Sequence, residues 1–294
     1  MPEREDWTWI VGAWRGRAFR GSFILALSTP WLLIWKYFGS IDFYQRAIHP
    51  RWPICQDLFT AAATYQFLAC FVMLALTPML VVKLIFRQRL ADYGLGFGIL
   101  RRTLFSLLLL GPVFVLIGYL SADDPALRSV YPLNRSLLGS RQRQQTAPEP
   151  AFEHTVVTSH TSQKSDSAEE AARRQVQDSY DDAELRPAPA RCWPWLFASH
   201  AICYLMFYVG WEFYFRGFML IGLEESLGRA SALLLQVMAS CLLHIGSPAT
   251  ETFGAILGGL LWGLLVFRTR SLLSGLAQHY LLGISLDWFI CSGG

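Results

Sequence analysis

Seven long apolar runs limit what this chain can fold into. Each is close to the roughly 20 residues that cross the hydrocarbon core of a bilayer as a helix, whereas the strands and core helices of soluble domains are shorter. The composition agrees, because 53% of the residues are hydrophobic and only 16% are charged. The sequence therefore predicts an all-α, polytopic membrane helix bundle with about seven transmembrane helices. The predicted spans are 20–38, 59–82, 103–121, 193–216, 229–246, 252–267 and 272–290.

A polar stretch separates the third predicted span from the fourth. Residues 139–190 are rich in Ala, Ser, Gln and Pro and almost free of large aliphatic side chains, so they cannot bury enough surface to offset the entropy of ordering. We interpret this stretch as a disordered linker or insert. With this stretch as the boundary, the sequence predicts an N-terminal three-helix membrane part at 1–138 and a second membrane domain at 191–294.

Basic residues are distributed unevenly among the predicted loops. Arginines and a lysine fill the loop between the second and third spans, whereas the loop after the fifth span and the C-terminus hold none. The positive-inside rule then predicts a cytoplasmic N-terminus and an external C-terminus. A net charge of only +3, with the basic residues beside helix ends, favours membrane lipid as a partner and argues against nucleic acid.

Four ionisable side chains lie inside the predicted spans of the last hundred residues. They are Glu212, Arg216, His244 and His279. A charged group at mid-membrane costs about 2.5–3.5 kcal/mol on insertion scales, so such groups usually face the bundle interior and pair with one another. Glu212 and Arg216 are four residues apart, share a helix face, and are predicted to form an ion pair.

Glutamate and histidine together suit peptide hydrolysis without a nucleophilic side chain. Glutamate can take a proton from water and pass it to the leaving amine, and histidine can orient the water or donate to the developing oxyanion. Two histidines and one glutamate also form a known catalytic zinc set, so zinc at Glu212, His244 and His279 stays open. The chain has no HExxH motif and no Cys/His cluster, and we therefore predict a site without a cofactor.

Three segments occur in the order of a known family's motifs. They are WEFYFRG at 211–217, SCLLH at 240–244 and HYLLG at 279–283. These segments resemble the EExxxRG, FxxxH and HxxxN motifs of the CPBP family, the intramembrane CAAX proteases and bacteriocin-processing enzymes. The resemblance marks 191–294 as a catalytic membrane domain of that type.

The resemblance implies an activity and a division of roles. The expected activity is an intramembrane endopeptidase that cleaves a membrane-associated peptide or protein, prenylated or unmodified, with Glu/His-activated water. Glu212 is expected to be the general base and then the acid, His244 to share in water activation, and His279 to donate to the oxyanion, with Arg216 supporting Glu212. The compact chain is similar to bacterial members, which places the expected protein in the bacterial inner membrane.

Three motif positions differ from the family pattern. The first glutamate of the pair falls on Trp211, the phenylalanine of the second motif on Ser240, and the asparagine of the third on Gly283. These differences leave open an alternative, a non-catalytic membrane scaffold or immunity protein that keeps the same fold. A transporter is disfavoured, because no inverted repeat relates the two halves.

Two acidic residues near helix ends are candidates for supporting roles. Asp287 follows His279 by two helical turns on the same face, and we expect it to supply the missing polar group of the third motif. Glu251 lies close after the second motif and is a further supporting candidate.

The predicted topology creates a conflict of depth. It places Glu212 near the inner end of the fourth span and His244 near the outer end of the fifth, although one site cannot lie at both depths. A kink near Gly210 or Gly217, with 217–227 folding back, would reconcile the two positions. On this basis we predict a contact between Glu212 and His244.

Overall fold

The computed structural model of the protein describes residues 16–52, 57–138 and 193–293. Every regular element in these ranges is a helix, which confirms the predicted all-α class. The predicted linker at 139–190 lies outside the described residues. The seven main helices are α1 (Gly16–Phe38), α2 (Leu58–Ile85), α3 (Leu100–Ser121), α4 (Trp193–Glu212, continued as a π-helix over Phe213–Ile221), α5 (Gly222–Leu242), α6 (Ala249–Thr269) and α7 (Leu273–Ser292).

Each predicted span coincides with one of these helices, but the helices differ in apolarity. Among the described residues, α2, α3 and α6 are long and apolar enough to cross a membrane, and α1 makes a fourth if it is joined to the short helix that follows it at a 53° bend. Helices α4, α5 and α7 carry more polar side chains and do not meet that standard. The apolar helices support a polytopic membrane bundle. By length and apolarity alone, however, fewer than seven of the described helices qualify as membrane spans.

Helix α4 lies at the centre of the bundle. Its residues from Phe213 to Leu220 are all buried, as is Glu212 before them. Over this stretch the helix has protein neighbours on every side, so its polar side chains are covered as fully as its apolar ones. The two charges in this helix therefore lie inside protein, where other side chains can meet them, and not against lipid.

The N-terminal helices pack directly on the C-terminal ones. Helix α7 packs along α3, α4 packs along α2, and α5 contacts both α1 and α6. The predicted parts at 1–138 and 191–294 therefore contribute to one bundle.

The chain turns back at Gly228, within α5, since Trp211 before it and His244 after it pack together with ring centroids 5.3 Å apart. This residue has φ 77° and ψ 163°, a backbone conformation that is accessible essentially only to glycine. Gly228 follows Glu212 by 16 residues and precedes His244 by 16. The reversal therefore brings both side chains to a similar level of the bundle and removes the conflict of depth.

The predicted kink near Gly210 or Gly217 was wrong. Both glycines lie within the continuous helix α4, and their role is close packing. A Cβ atom at Gly210 would lie 2.7 Å from the carbonyl oxygen of Cys70, and one at Gly217 would lie 2.9 Å from that of Tyr93. These glycines let α4 approach the neighbouring backbone closely. The turn occurs instead at Gly228.

Candidate active site

Glu212 is the centre of a buried charged cluster. Its Oε1 lies 3.2 Å from Nη1 of Arg216 and 2.9 Å from Nδ1 of His279. Glu212 and Arg216 are each only 1% exposed. The ion pair predicted from the four-residue spacing is therefore present, and α7 brings His279 to the same carboxylate oxygen.

Trp262 of α6 forms one wall of this cluster. Its ring stacks on that of His279 with centroids 4.1 Å apart, and the Arg216 guanidinium lies over the same indole at 5.4 Å. Such a guanidinium–indole contact is favourable where water is excluded. Sequence reasoning missed Trp262, because no motif or spacing links it to the three charged residues.

The second oxygen of Glu212 is held differently from the first. Oε2 is buried and accepts no hydrogen bond from the described residues. A Cβ atom at Gly275 of α7 would lie 2.9 Å from it, so the glycine leaves the room that this oxygen occupies. Glu212 therefore has one engaged oxygen and one free acceptor, both inside the protein.

The contact with Glu212 decides which nitrogen of His279 is available. An ionised carboxylate can only accept, so Nδ1–H of His279 donates to Oε1 and leaves Nε2 for other partners. The His279 side chain is 17% exposed, whereas Glu212 is almost completely covered. His279 is thus the member of the cluster that a substrate can reach.

His244 faces a different acidic residue from the one predicted. Its Nδ1 donates to the carbonyl oxygen of Ser240 at 2.8 Å, and its Nε2 lies 3.7 Å from Oε1 of Glu251. Among the described residues, the hydrogen bond and ion pair of the His244 side chain go to these two partners, so the predicted contact with Glu212 was wrong. Trp211 stands beside Glu212 in the chain and packs edge-on against the His244 ring at 5.3 Å.

Glu251 lies at the start of α6 and has a defined hydrogen-bond donor. The hydroxyl of Tyr131 donates to its Oε1 at 3.0 Å, while its Oε2 is buried without a hydrogen-bond partner in the described residues. Burial, reinforced by the charge of Glu251, raises the pKa of Tyr131, so the hydroxyl stays protonated and remains a donor. Tyr131, like Trp262, was missed because it is far away in sequence.

Asp287 was expected to supply the polar group missing from the third motif, and the structure contradicts this. Its Oδ2 lies 2.8 Å from Nε2 of His200 in α4, and neither side chain is exposed. Two helical turns place Asp287 about 12 Å along α7 from His279, at another level of the bundle. His200 was missed, although a histidine inside an apolar span is the kind of residue that needs a buried partner.

The place of the missing asparagine is filled by a tyrosine from another helix. A Cβ atom at Gly283 would lie 1.9 Å from the hydroxyl oxygen of Tyr208, which itself donates to Tyr204 at 3.0 Å. The Tyr208 ring also packs edge-on against His279 with centroids 4.6 Å apart. Gly283 therefore makes room for a hydroxyl group beside His279.

The residues considered for zinc do not converge. Glu212 and His279 are in contact, but His244 is turned towards Glu251. Among the described residues, no group of three or more His, Cys, Asp or Glu side chains is placed to hold a metal ion. A zinc ion bound jointly by Glu212, His244 and His279 does not fit this arrangement.

One comparison with known proteins gives a match. Residues 193–284 match a family model described as type II CAAX prenyl endopeptidase Rce1-like. No curated protein and no solved structure matches the chain. The matched range runs from α4 into α7 and contains Glu212, Arg216, His244 and His279, whereas Asp287 lies beyond its end.

Proposed function

We propose that the chain hydrolyses peptide bonds in the membrane, because residues 193–284 match the Rce1-like type II CAAX prenyl endopeptidase family model, consistent with a CPBP intramembrane protease. The substrate would be a membrane-associated peptide or protein. The observation that carries the proposal is the 2.9 Å contact between Glu212 and His279, with Arg216 on the same carboxylate oxygen. A scaffold needs no partly exposed histidine oriented by a buried ion pair.

The geometry supports a division of roles that differs from the sequence-based one. Glu212 is too deeply buried to meet a substrate and its Oε1 already has two partners, so we assign it to orienting His279. When His279 is doubly protonated, Nδ1–H donates to the Glu212 carboxylate and Nε2–H can donate to the oxyanion of a tetrahedral intermediate. Arg216 balances the Glu212 charge inside the bundle.

The proposal also includes the membrane in which the protein lies and its orientation there. The apolar helices and the family support an integral membrane protein. A bacterial inner membrane and a cytoplasmic N-terminus are proposed from the compact chain and from the basic loop between the second and third predicted spans. The partners would be membrane lipid and a peptide or protein substrate.

The proposal is tested by peptide cleavage with detergent-purified protein. Peptides ending in a prenylated or unmodified cysteine region are incubated with the parent, Glu212→Gln and His279→Gln, and products are identified by mass spectrometry. We expect the parent to cleave at least one peptide and each variant to lose roughly 100-fold or more in rate, the scale of one positioned proton donor.

Glu224→Gln is the matched control for Glu212→Gln. It also replaces a carboxylate in an ion pair, but Glu224 pairs with Arg229 and Arg270 away from the cluster. This control should cleave at the rate of the parent. Equal rates for the parent and His279→Gln at matched thermal stability would contradict the proposed mechanism.

A second candidate function rests on the environment of Trp211. The indole stands where the family pattern has a glutamate and packs against Trp35, Phe207 and Phe215. An apolar side chain buried at that position favours a non-catalytic scaffold with the same fold. A stable parent that cleaves no peptide, with Glu212→Gln lowering its thermal stability, would support this alternative.

A further inference from the structure

A second acid–base pair lies close to the Glu212 cluster and has no role in the mechanism so far. It consists of His244 at the end of the α4–α5 hairpin and Glu251 at the start of α6, whose side chains are 17% and 20% exposed. Both groups are therefore partly accessible, unlike Glu212. The neighbouring indole of Trp211 shows that they occupy the region to which the family pattern would direct its first glutamate.

The hydrogen bonds around the pair leave two acceptors facing each other. Nδ1–H of His244 is committed to the Ser240 carbonyl, so Nε2 of the neutral ring is an acceptor. Oε1 of Glu251 is the other, 3.7 Å away. This separation is too long for a direct hydrogen bond, but a water molecule can donate one hydrogen to each atom.

The pair is also close enough to the first cluster to act on the same substrate. Trp211 packs on the His244 ring at 5.3 Å, and the next residue in the chain, Glu212, contacts His279 at 2.9 Å. A peptide carbonyl that meets His279 therefore lies near the proposed water.

Building on the proposed function, we infer that Glu251 is a catalytic residue that takes the place of the glutamate replaced by Trp211. Glu251 and His244 hold the attacking water. As the water oxygen bonds to the carbonyl carbon, one water proton passes to the Glu251 carboxylate and the carbonyl π electrons move to the oxygen facing His279. When the C–N bond breaks, the electron pair of that bond goes to the nitrogen, and the same proton leaves Glu251 for the amine.

Tyr131 has a positioning role in this arrangement. Its hydroxyl donates to Oε1 of Glu251 and so holds the carboxylate towards His244. Oε2 is buried, so the proposed water and its proton meet the carboxylate at Oε1.

The inference is tested with the full-length protein and the peptide that the parent cleaves fastest. Steady-state kinetics are measured for the parent, Glu251→Gln and Glu251→Asp. We expect Glu251→Gln to lower kcat by roughly 100-fold or more with KM within about twofold, because a general base acts in the transition state and not in substrate binding. Glu251→Asp keeps the carboxylate and should recover part of kcat.

Thr250→Val is the matched control. Thr250 is the neighbouring residue in the first turn of α6, and its hydroxyl points to Asp124 and not to His244. This variant should keep the kcat of the parent. A double variant, His244→Gln with Glu251→Gln, should lose little more than either single variant, because the two residues act on one water.

The outcomes separate the inference from the proposed function. A parent that cleaves while Glu251→Gln keeps its kcat within about threefold overturns the inference and leaves the peptidase intact. An equal loss in Glu251→Gln and Glu251→Asp, with a lowered thermal midpoint in both, assigns Glu251 a structural role and overturns it too. A parent that cleaves no peptide overturns the proposed function, on which the inference rests.

Discussion

At the scale of single residues, two positions that differ from the family motifs have polar side chains from elsewhere in the chain close by. Gly283 replaces an asparagine, and the hydroxyl of Tyr208 occupies the space beside it. Trp211 replaces a glutamate, and Glu251 lies within ion-pair distance of the histidine that the glutamate would have met. A missing motif residue therefore does not mean that its location lacks polar chemistry.

The close fit between Gly283 and Tyr208 leads to a stability prediction. Gly283→Ala places a methyl group at 1.9 Å from the Tyr208 hydroxyl, so the helices must move apart. Overpacking of this kind costs about 1–3 kcal/mol, and we expect a lower thermal midpoint in detergent. Combining Gly283→Ala with Tyr208→Leu should cost less than the two single changes added together.

Gly111→Ala is the control for this experiment. Gly111 of α3 also lies at a contact with α7, but its added methyl group would meet Leu281 at an ordinary 3.5 Å. We expect the thermal midpoint of this variant to be close to that of the parent. A similar drop in thermal midpoint for Gly111→Ala and Gly283→Ala would show that an added methyl group is harmful at either contact of α7, whatever its distance to the neighbour.

At the scale of elements, the hairpin of α4 and α5 determines where the motif residues meet. Its turn at Gly228 places Trp211 against His244, although 33 residues separate them. Helix α6 then packs on α5 through Gly259 and Gly263, whose added Cβ atoms would lie 3.2 Å from Val237 and 2.4 Å from Leu233. This close packing brings Trp262 and Glu251 to the site.

The backbone of Gly228 leads to a prediction about this hairpin. Nothing lies within 4 Å of a Cβ atom added there, so Gly228→Ala tests only the cost of φ 77°, ψ 163°. Residues forced into such regions lose about 1–3 kcal/mol. We expect a lower thermal midpoint and, because His244 shifts relative to Glu212, slower peptide cleavage.

Gly254→Ala provides the comparison for Gly228→Ala. Gly254 also has open space around an added Cβ atom, but it lies inside the regular helix α6. Alanine is the better helix former by about 1 kcal/mol, so this variant should be as stable as the parent or slightly more stable. An unchanged midpoint in Gly228→Ala would argue against the hairpin turn.

At the scale of the whole molecule, the part of the chain that matches the family model packs against the N-terminal helices. Cys70 of α2 lies against Gly210 of α4, and Gln278 of α7 donates to the carbonyl oxygen of Ser106 in α3. The part of the chain that matches the family model therefore buries one side of its central helix against residues outside that match.

This packing predicts that 191–294 does not fold alone. Expressed without 1–138, it exposes the α4 surface that packs on α2 and the α7 surface that packs on α3, so we expect aggregation in detergent. Co-expression of 1–138 as a separate chain should give a stable complex that co-purifies. Size-exclusion chromatography distinguishes these results, and a monodisperse, active 191–294 fragment would contradict the prediction.

Local features of the sequence determined the helices, the ion pair between Glu212 and Arg216, and the match of residues 193–284 to the family model. Apolar runs, a spacing of four residues and ordered motifs all act over one or two helical turns or one helix, and so can be recognised without a fold. The role of 139–190 and the orientation in the membrane stay predictions. The tertiary structure alone decided that His279 meets Glu212, that His244 meets Glu251 and that Asp287 meets His200. Each of these pairs joins different helices or the two sides of a turn. The atoms that meet are therefore set by the position of the chain reversal and by how closely the glycines let the helices approach.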